Sequence, residues 1–242
     1  MRLIEFDSCF KLKHALGVLH RMGSKRDFRI YPDRAMCVVG PSQSGKTTFV
    51  LNLLDEYLEI FHDPCPSRIL WFYGVHQSDL NQLLKSKQQY LGIPIEIKEG
   101  IPSVTDIRKG DLIVMDDLLS ESQSSKEVSQ MFTRHAHHHR CFIIFLSQNL
   151  FAGGKEYRTQ SLNTHYLVLF KNPRDKSQIN FLARQVEPRS RAFIDMYEEA
   201  TKRPHGYLFI DLTQECPDEY RYRTNILPAD PQPMRLFVIR NH

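Results

Sequence analysis

No two of the five cysteines form a CxxC pair: Cys9, Cys37, Cys65, Cys141 and Cys216 are scattered along 242 residues. That scatter argues against a structural zinc site. Cys37 and Cys141 fall in apolar, β-prone runs, so the cysteines read as reduced interior residues of an intracellular protein. A signal peptide is not expected, since "MRLIEFDSCF" is charged and broken, and no apolar stretch approaches the ~18 residues of a membrane span. Internal repeats, low-complexity tracts and long disordered stretches are absent. What remains is 41% hydrophobic and 25% charged, enough for a sizeable core and most simply one soluble domain with extensions at either end.

Charge is not strongly of one sign overall, at +4. It is uneven, however: residues 134 to 194 carry ten Lys or Arg against three Asp or Glu. Such a bias suggests an acidic polymer as partner, and an ordinary solvated basic face accounts for it equally well.

The stretch "CVVGPSQSGKTTFVLNLL" interrupts an apolar run with small and polar residues, then resumes as a helix. Gly40, Pro41, Ser42, Gln43, Ser44, Gly45, Lys46 and Thr47 fit GxxxxGK[ST], with the β-prone "AMCVV" before and a helical run after, as a P-loop requires. Backbone N–H groups of this loop, through Thr48, can surround a phosphate chain at the positive end of the new helix. Gly45 admits close approach of the backbone, Lys46 reaches the β and γ phosphates, and Thr47 is expected on Mg²⁺.

Strands and helices alternate from there. The helix should stop near "FHDPCP", where two prolines prevent continuation. "RILWFYGV" reads as a second strand, followed by a polar helical stretch and the loop "LGIPIEIKEGIPS". "DLIVMDDLLS" supplies a third strand, "KEVSQMFTRHAHHHR" a helix, "CFIIFLS" a fourth strand and "HYLVLF" a fifth. Continuous apolar strands with helical crossovers imply a parallel sheet covered by helices on both faces, an α/β fold of the P-loop NTPase type. The boundaries expected are an N-terminal extension over 1–33, an ATPase domain over 34–215 and a C-terminal extension over 216–242.

A P-loop needs a metal-holding carboxylate and a group to activate water. Asp116 is delivered to the end of a buried strand, where it can hold Mg²⁺, and Asp117 follows, where it can polarise the lytic water. The fourth strand ends in Ser147, Gln148 and Asn149. If it lies between the P-loop strand and the Asp116 strand, Gln148 faces the γ-phosphate. His135 and His139 stand at helical i, i+4 spacing, but no carboxylate or cysteine completes a ligand pattern, and a helix-capping or phosphate-contacting role suits them better.

Together the P-loop, the "DD" after the third strand, "SQNLF" and "RTQSLNTHYLVLFKNPRDKSQINFLARQ" resemble the poxvirus-type genome-packaging ATPases of the FtsK and HerA group. The nearest likeness is to versions in Polinton-type elements and small double-stranded DNA viruses, and it spans about residues 30 to 215. The resemblance implies an RecA-like ATPase of the inserted-strand type that uses ATP and Mg²⁺. It implies a homo-oligomeric ring, pentamer or hexamer, that translocates double-stranded DNA into a preformed capsid, working with a capsid protein at a portal or vertex. The implied location is inside the host cell, in nucleus or cytoplasm, or associated with the virion. Lys46 and Thr47 match the Walker A positions, Asp116 the Walker B position and Gln148 the sensor position. The second acidic residue, often Glu in related motors, is Asp117 here, one methylene shorter. Such rings complete one subunit's site with a neighbour's arginine; Arg158 in "GGKEYRTQSLN" is the first candidate, with Arg134, Arg140, Arg174 and Arg184 behind it, and a DNA-facing or structural role suits Arg158 as well. A replication helicase shares every nucleotide-site residue, whereas a small-molecule kinase would need an arginine lid that is not evident.

Overall fold

The computed structural model describes residues 2–5, 28–74, 78–118, 140–151 and 162–239. Among the described residues, ten strands form one sheet. In chain order they are β1 (Arg2–Glu5), β2 (Ala35–Val39), β3 (Arg68–Tyr73), β4 (Ile95–Glu99), β5 (Asp111–Asp116), β6 (Phe142–Ser147), β7 (Tyr166–Phe170), β8 (Tyr207–Asp211), β9 (Tyr222–Thr224) and β10 (Arg235–Val238). The α-helices among the described residues are α1 (Lys46–Asp55), α2 (Tyr57–Ile60), α3 (Ser78–Leu91), α4 (Ser177–Val186) and α5 (Ser190–Ala200). The order across the sheet is β1-β10-β9-β8-β7-β2-β6-β5-β3-β4. Pairings from β7 to β4 are parallel, and those from β7 outward to β1 are antiparallel.

The parallel strands read as unbroken apolar runs because both their faces are covered. Along β2, Ala35, Cys37 and Val39 pack into one core layer with Ile179 and Leu182 of α4 and Phe193 and Met196 of α5. Met36 and Val38, pointing the other way, join Phe49, Val50 and Leu53 of α1, Ile60 of α2 and Leu84 of α3. The expected helices on both faces are therefore present. The thiols of Cys37, Cys141 and Cys216 are buried, and burial pushes the Cys37 thiol up to about 12, which leaves it a small inert hydrophobe.

A buried clasp sets the register of β5. Arg68 at the start of β3 donates to both carboxylate oxygens of Asp111 at 3.0 and 2.6 Å, to Glu96 of β4 at 2.9 Å and to the Asp106 carbonyl at 2.8 Å. A bidentate guanidinium–carboxylate pair tolerates little displacement. With Asp111 held at one end of the strand, Asp116 is held at the other, opposite Tyr73 and Leu146.

The stretch "LGIPIEIKEGIPS", expected as a loop, contains β4. Its charged residues belong to an edge strand with one face in the core, where Ile95 is buried and Ile97 packs. Ranges expected as terminal extensions supply β1, β9 and β10 to the antiparallel side of the same sheet. The helix expected over "KEVSQMFTRHAHHHR", with His135 and His139, and the loop carrying Arg158 lie outside the described residues.

Candidate nucleotide site

β2 delivers the chain to the P-loop at the middle of the sheet. The Gly40 N–H donates to the Ser147 carbonyl at 3.1 Å, which ties the loop's start to the end of β6. Gly40 is required by crowding, because an added Cβ would meet Ser44 Oγ at 2.6 Å and Phe170 Cβ at 2.7 Å. Gly45 is required by conformation, with φ +107° at the start of α1. α1 has neither a side-chain cap nor an acidic residue in its first turn. Its leading N–H groups, which no helix can satisfy internally, are therefore available to an anion at the positive end of the dipole.

Lys46 Nζ donates to the Gly40 and Pro41 carbonyls at 2.7 and 3.0 Å, so the ammonium is held across the loop. Ser44 Oγ is buried with no partner among the described residues. Ser42 is exposed on the outside of the turn, and Thr48 is exposed facing the cavity described below.

Asp116 ends β5 at 6% exposure. Burial first, and then the charge of Asp117, raises its carboxyl to about 6, against the opposing pull of Lys46 and of a hydrogen bond with Thr47. Burial also lowers Lys46 below the usual ammonium range, with Asp116 and Asp117 pulling it back up. Thr47, Lys46 and Asp116, distant in sequence, thus meet. One oxygen of Asp116, Oδ2, is buried without a hydrogen-bond partner. A buried carboxylate oxygen left open beside a hydroxyl, at a loop built for phosphates, fits a hard divalent cation such as Mg²⁺, which takes one or two protein oxygens and completes its shell with water and phosphate. Among the described residues no cluster of three or more His, Cys, Asp or Glu side chains forms a metal cage.

Asp117 is exposed, with φ 53°, and accepts a hydrogen bond from Gln148 Nε2 at 3.1 Å. Its carbonyl lies so close to Gly74 that a Cβ there would stand 2.9 Å away. β6 does lie between β2 and β5, so Gln148 emerges between the phosphate loop and the two aspartates. The loop after Gln148 is anchored in turn by Gln178 of α4, which accepts from the Leu150 N–H at 2.7 Å and donates to Asn149 at 3.3 Å.

A cavity of about 960 Å³ opens beside the P-loop, and the sequence reading did not anticipate it. It is lined by Gln43 and Gly45–Thr48 at one end and beyond them by residues of two distant segments, 199–207 and 225–235. His205 Nδ1 donates to the Ser44 carbonyl at 3.0 Å, which couples the first segment to the loop. No signature marks either segment in the sequence, since their relation to the P-loop exists only through the pairing of β7, β8 and β9.

Lys171, Arg174 and Lys176 are exposed between the end of β7 and the start of α4, on the same edge of the sheet as the P-loop, and Arg184 is exposed further along α4. Among the described residues none of the four forms an ion pair. No helix among the described residues is long and apolar enough to cross a membrane.

No family model and no curated protein matches the sequence. Among solved structures, the DNA-packaging ATPase B204 from Sulfolobus turreted icosahedral virus superposes with a TM-score of 0.54 at 11% identity, over 77% of this chain and 96% of that one. The genome packaging NTPase B204 from Sulfolobus turreted icosahedral virus 2, in complex with ATP-gammaS, gives a TM-score of 0.47 at 12% identity over 76% of this chain and 95% of that one. The first of these likenesses establishes the fold, a P-loop NTPase sheet with helices on both faces.

Proposed function

We propose that this chain is an ATP-hydrolysing motor that moves double-stranded DNA into a preformed viral capsid. One observation carries the ATPase part: Lys46 and Thr47 converge on Asp116, while Gln148 reaches Asp117 from an inserted strand. The packaging part rests on the family resemblance of the sequence, on the fold shared with a viral DNA-packaging ATPase, and on the basic edge next to the site.

In this reading Lys46 exchanges its two loop carbonyls for phosphate oxygens, while the N–H groups of residues 43–48 bind the remaining oxygens. Thr47 and Asp116 would hold Mg²⁺, which would supply positive charge against the phosphates. Asp117 accepts a hydrogen bond from the attacking water and orients it in line, its carboxylate held in place by Gln148 Nε2. Gln148 then links the state of the γ-phosphate to the loop that Gln178 anchors, and so to α4 and its basic residues. Arg158 from a neighbouring subunit in a ring, with Arg134, Arg140, Arg174 and Arg184 as alternatives, completes the charge on the far side. Lys171, Arg174 and Lys176 contact DNA phosphates, which carry no sequence information and therefore permit sliding.

ATP turnover measured with and without duplex DNA tests this. Duplexes of arbitrary sequence raise turnover at low salt, and the stimulation fades steeply as salt rises through counterion release. Turnover that no duplex alters, in protein shown to be assembled, removes the motor assignment; preference for single strands together with strand separation favours a helicase instead.

A further inference from the structure

The strand order gives the bound phosphate chain a direction. Asp116, Asp117 and Gln148 stand on β5 and β6, on one side of β2, whereas the 960 Å³ cavity lies on the other side, beside Phe170 at the end of β7 and Tyr207 at the start of β8. A triphosphate whose reacting end meets Asp117 and Gln148 therefore runs its other end over the start of α1 and into that cavity. A phosphate chain alone does not need this space, which is the size of a small-molecule pocket.

Its walls are built rather than incidental. The turn after β9 is fixed by Asp230, whose carboxylate accepts from Tyr207 Oη at 2.5 Å and from the Leu227 N–H at 2.8 Å, while Tyr207 Oη accepts from the Ile226 N–H at 2.8 Å. The loop after α5 is fixed against the P-loop by His205. The two segments are joined at the cavity: with its side-chain amide turned to accept, Gln232 receives both terminal guanidinium nitrogens of Arg203 at 2.8 and 3.0 Å. Between these ties the lining includes Pro204, the His205 ring, Ala229 and Pro231, flat or small groups of the kind that accept a planar ring edge or face.

We propose that this cavity holds the base and ribose of the nucleotide, so that the segment 225–235, near the C-terminal end of the chain, is a wall of the ATP site. The proposal rests on the P-loop reading above. Pro204 and His205 on one segment and Ala229 and Pro231 on the other enclose the nucleoside, and Arg203 with Gln232 closes the far end.

Binding of ATPγS and of inorganic tripolyphosphate, each with Mg²⁺ and measured by calorimetry, separates the nucleoside from the phosphate contribution. In the wild-type protein ATPγS binds more tightly by at least about tenfold, or about 1.4 kcal/mol. Ala229→Trp, a change at an exposed lining position that fills the cavity, weakens ATPγS by about tenfold and leaves tripolyphosphate within about twofold. Photolabelling of the wild-type protein with 2-azido-ATP, which needs no variant, marks peptides within 199–207 or 225–235. Equal affinity for the two ligands, equal weakening of both by Ala229→Trp, or label confined to other segments overturns the proposal. Lys46→Ala tells the two readings apart. If it loses both ligands while the label falls elsewhere, the phosphate loop stands and the nucleoside pocket fails; if it retains both, the P-loop reading itself fails and the pocket with it.

Discussion

Asp116→Asn should make the metal-free protein more stable and the loaded protein less so. Burial raises the Asp116 carboxyl from its ordinary 3.8 to about 6. A folded-state value above the unfolded one means that the folded chain binds the proton more tightly. Stability is therefore greatest below the unfolded value and declines as pH rises through the window from 3.8 to about 6. Across about two pH units, at 1.36 kcal/mol each, the cost of keeping this carboxylate ionised at neutral pH is about 3 kcal/mol. Asn has nearly the same shape and no charge, so it removes that cost. Lys46 loses an attractive neighbour at the same time, which reduces the gain to about 1–3 kcal/mol. Urea unfolding in EDTA at about pH 7.5 and again at about pH 4.5 measures it: the variant is more stable at the higher pH, and the difference shrinks by more than half at the lower, where wild-type Asp116 is protonated in the fold. Addition of Mg²⁺ and ATPγS then reverses the order, because ligand binding stabilises the wild type by mass action and the variant has lost the oxygen that stays open on β5. A variant less stable than wild type at about pH 7.5 in EDTA would refute the claim that burial of this carboxylate is a cost retained for function.

Asp117→Asn should bind ATP with Mg²⁺ normally and lose turnover by about 10²-fold or more, since it orients water without holding the metal; Gln148→Ala, which frees that carboxylate, should lower kcat with little change in KM, and a KM effect alone would argue against the contact at 3.1 Å. Gly74→Ala should cost roughly 1–3 kcal/mol of stability and reduce turnover, because the new Cβ meets the Asp117 carbonyl at 2.9 Å and backbone must shift; wild-type melting and kinetics in that variant would show the end of β5 to be freer than described. Arg158→Ala should abolish turnover while retaining ATP binding, and mixing it with Lys46→Ala protein should restore part of the activity at mixed interfaces; an assembled mixture that stays inactive removes the trans role of Arg158.

Much of this site was readable along the chain because its parts are local devices. A phosphate loop needs a glycine at a left-handed position, an uncapped helix start and a lysine one residue on, and Gly45, the open end of α1 and Lys46 satisfy this within a few residues. Asp116 was legible for a similar reason: four apolar residues, Leu112 to Met115, leave a strand little choice but to be buried, and the first carboxylate after them emerges at its end. The half-buried β4 was missed although its alternation of Ile with Glu and Lys has the period of a strand, because it is short and the turn-forming Pro94 and Gly100 that bound it give the stretch the composition of a loop.

Other features depended on which strands became neighbours. β6 follows β5 in the chain yet inserts between β5 and β2, and only that insertion brings Gln148 to Asp117 and the Ser147 carbonyl to Gly40. The reversal of direction at β8 is likewise invisible locally, although it brings to the P-loop both His205, 161 residues beyond Ser44, and the still later turn at Ala229–Gln232. The sequence by itself determined the strand-and-helix alternation, the phosphate loop and the buried aspartate, since backbone conformation and burial of apolar runs are settled by residues a few positions apart. Tertiary structure alone decided the open oxygen of Asp116, the Gln148 contact and the walled cavity, because each is a meeting of side chains whose distance is set by sheet order and by the packing of two core layers.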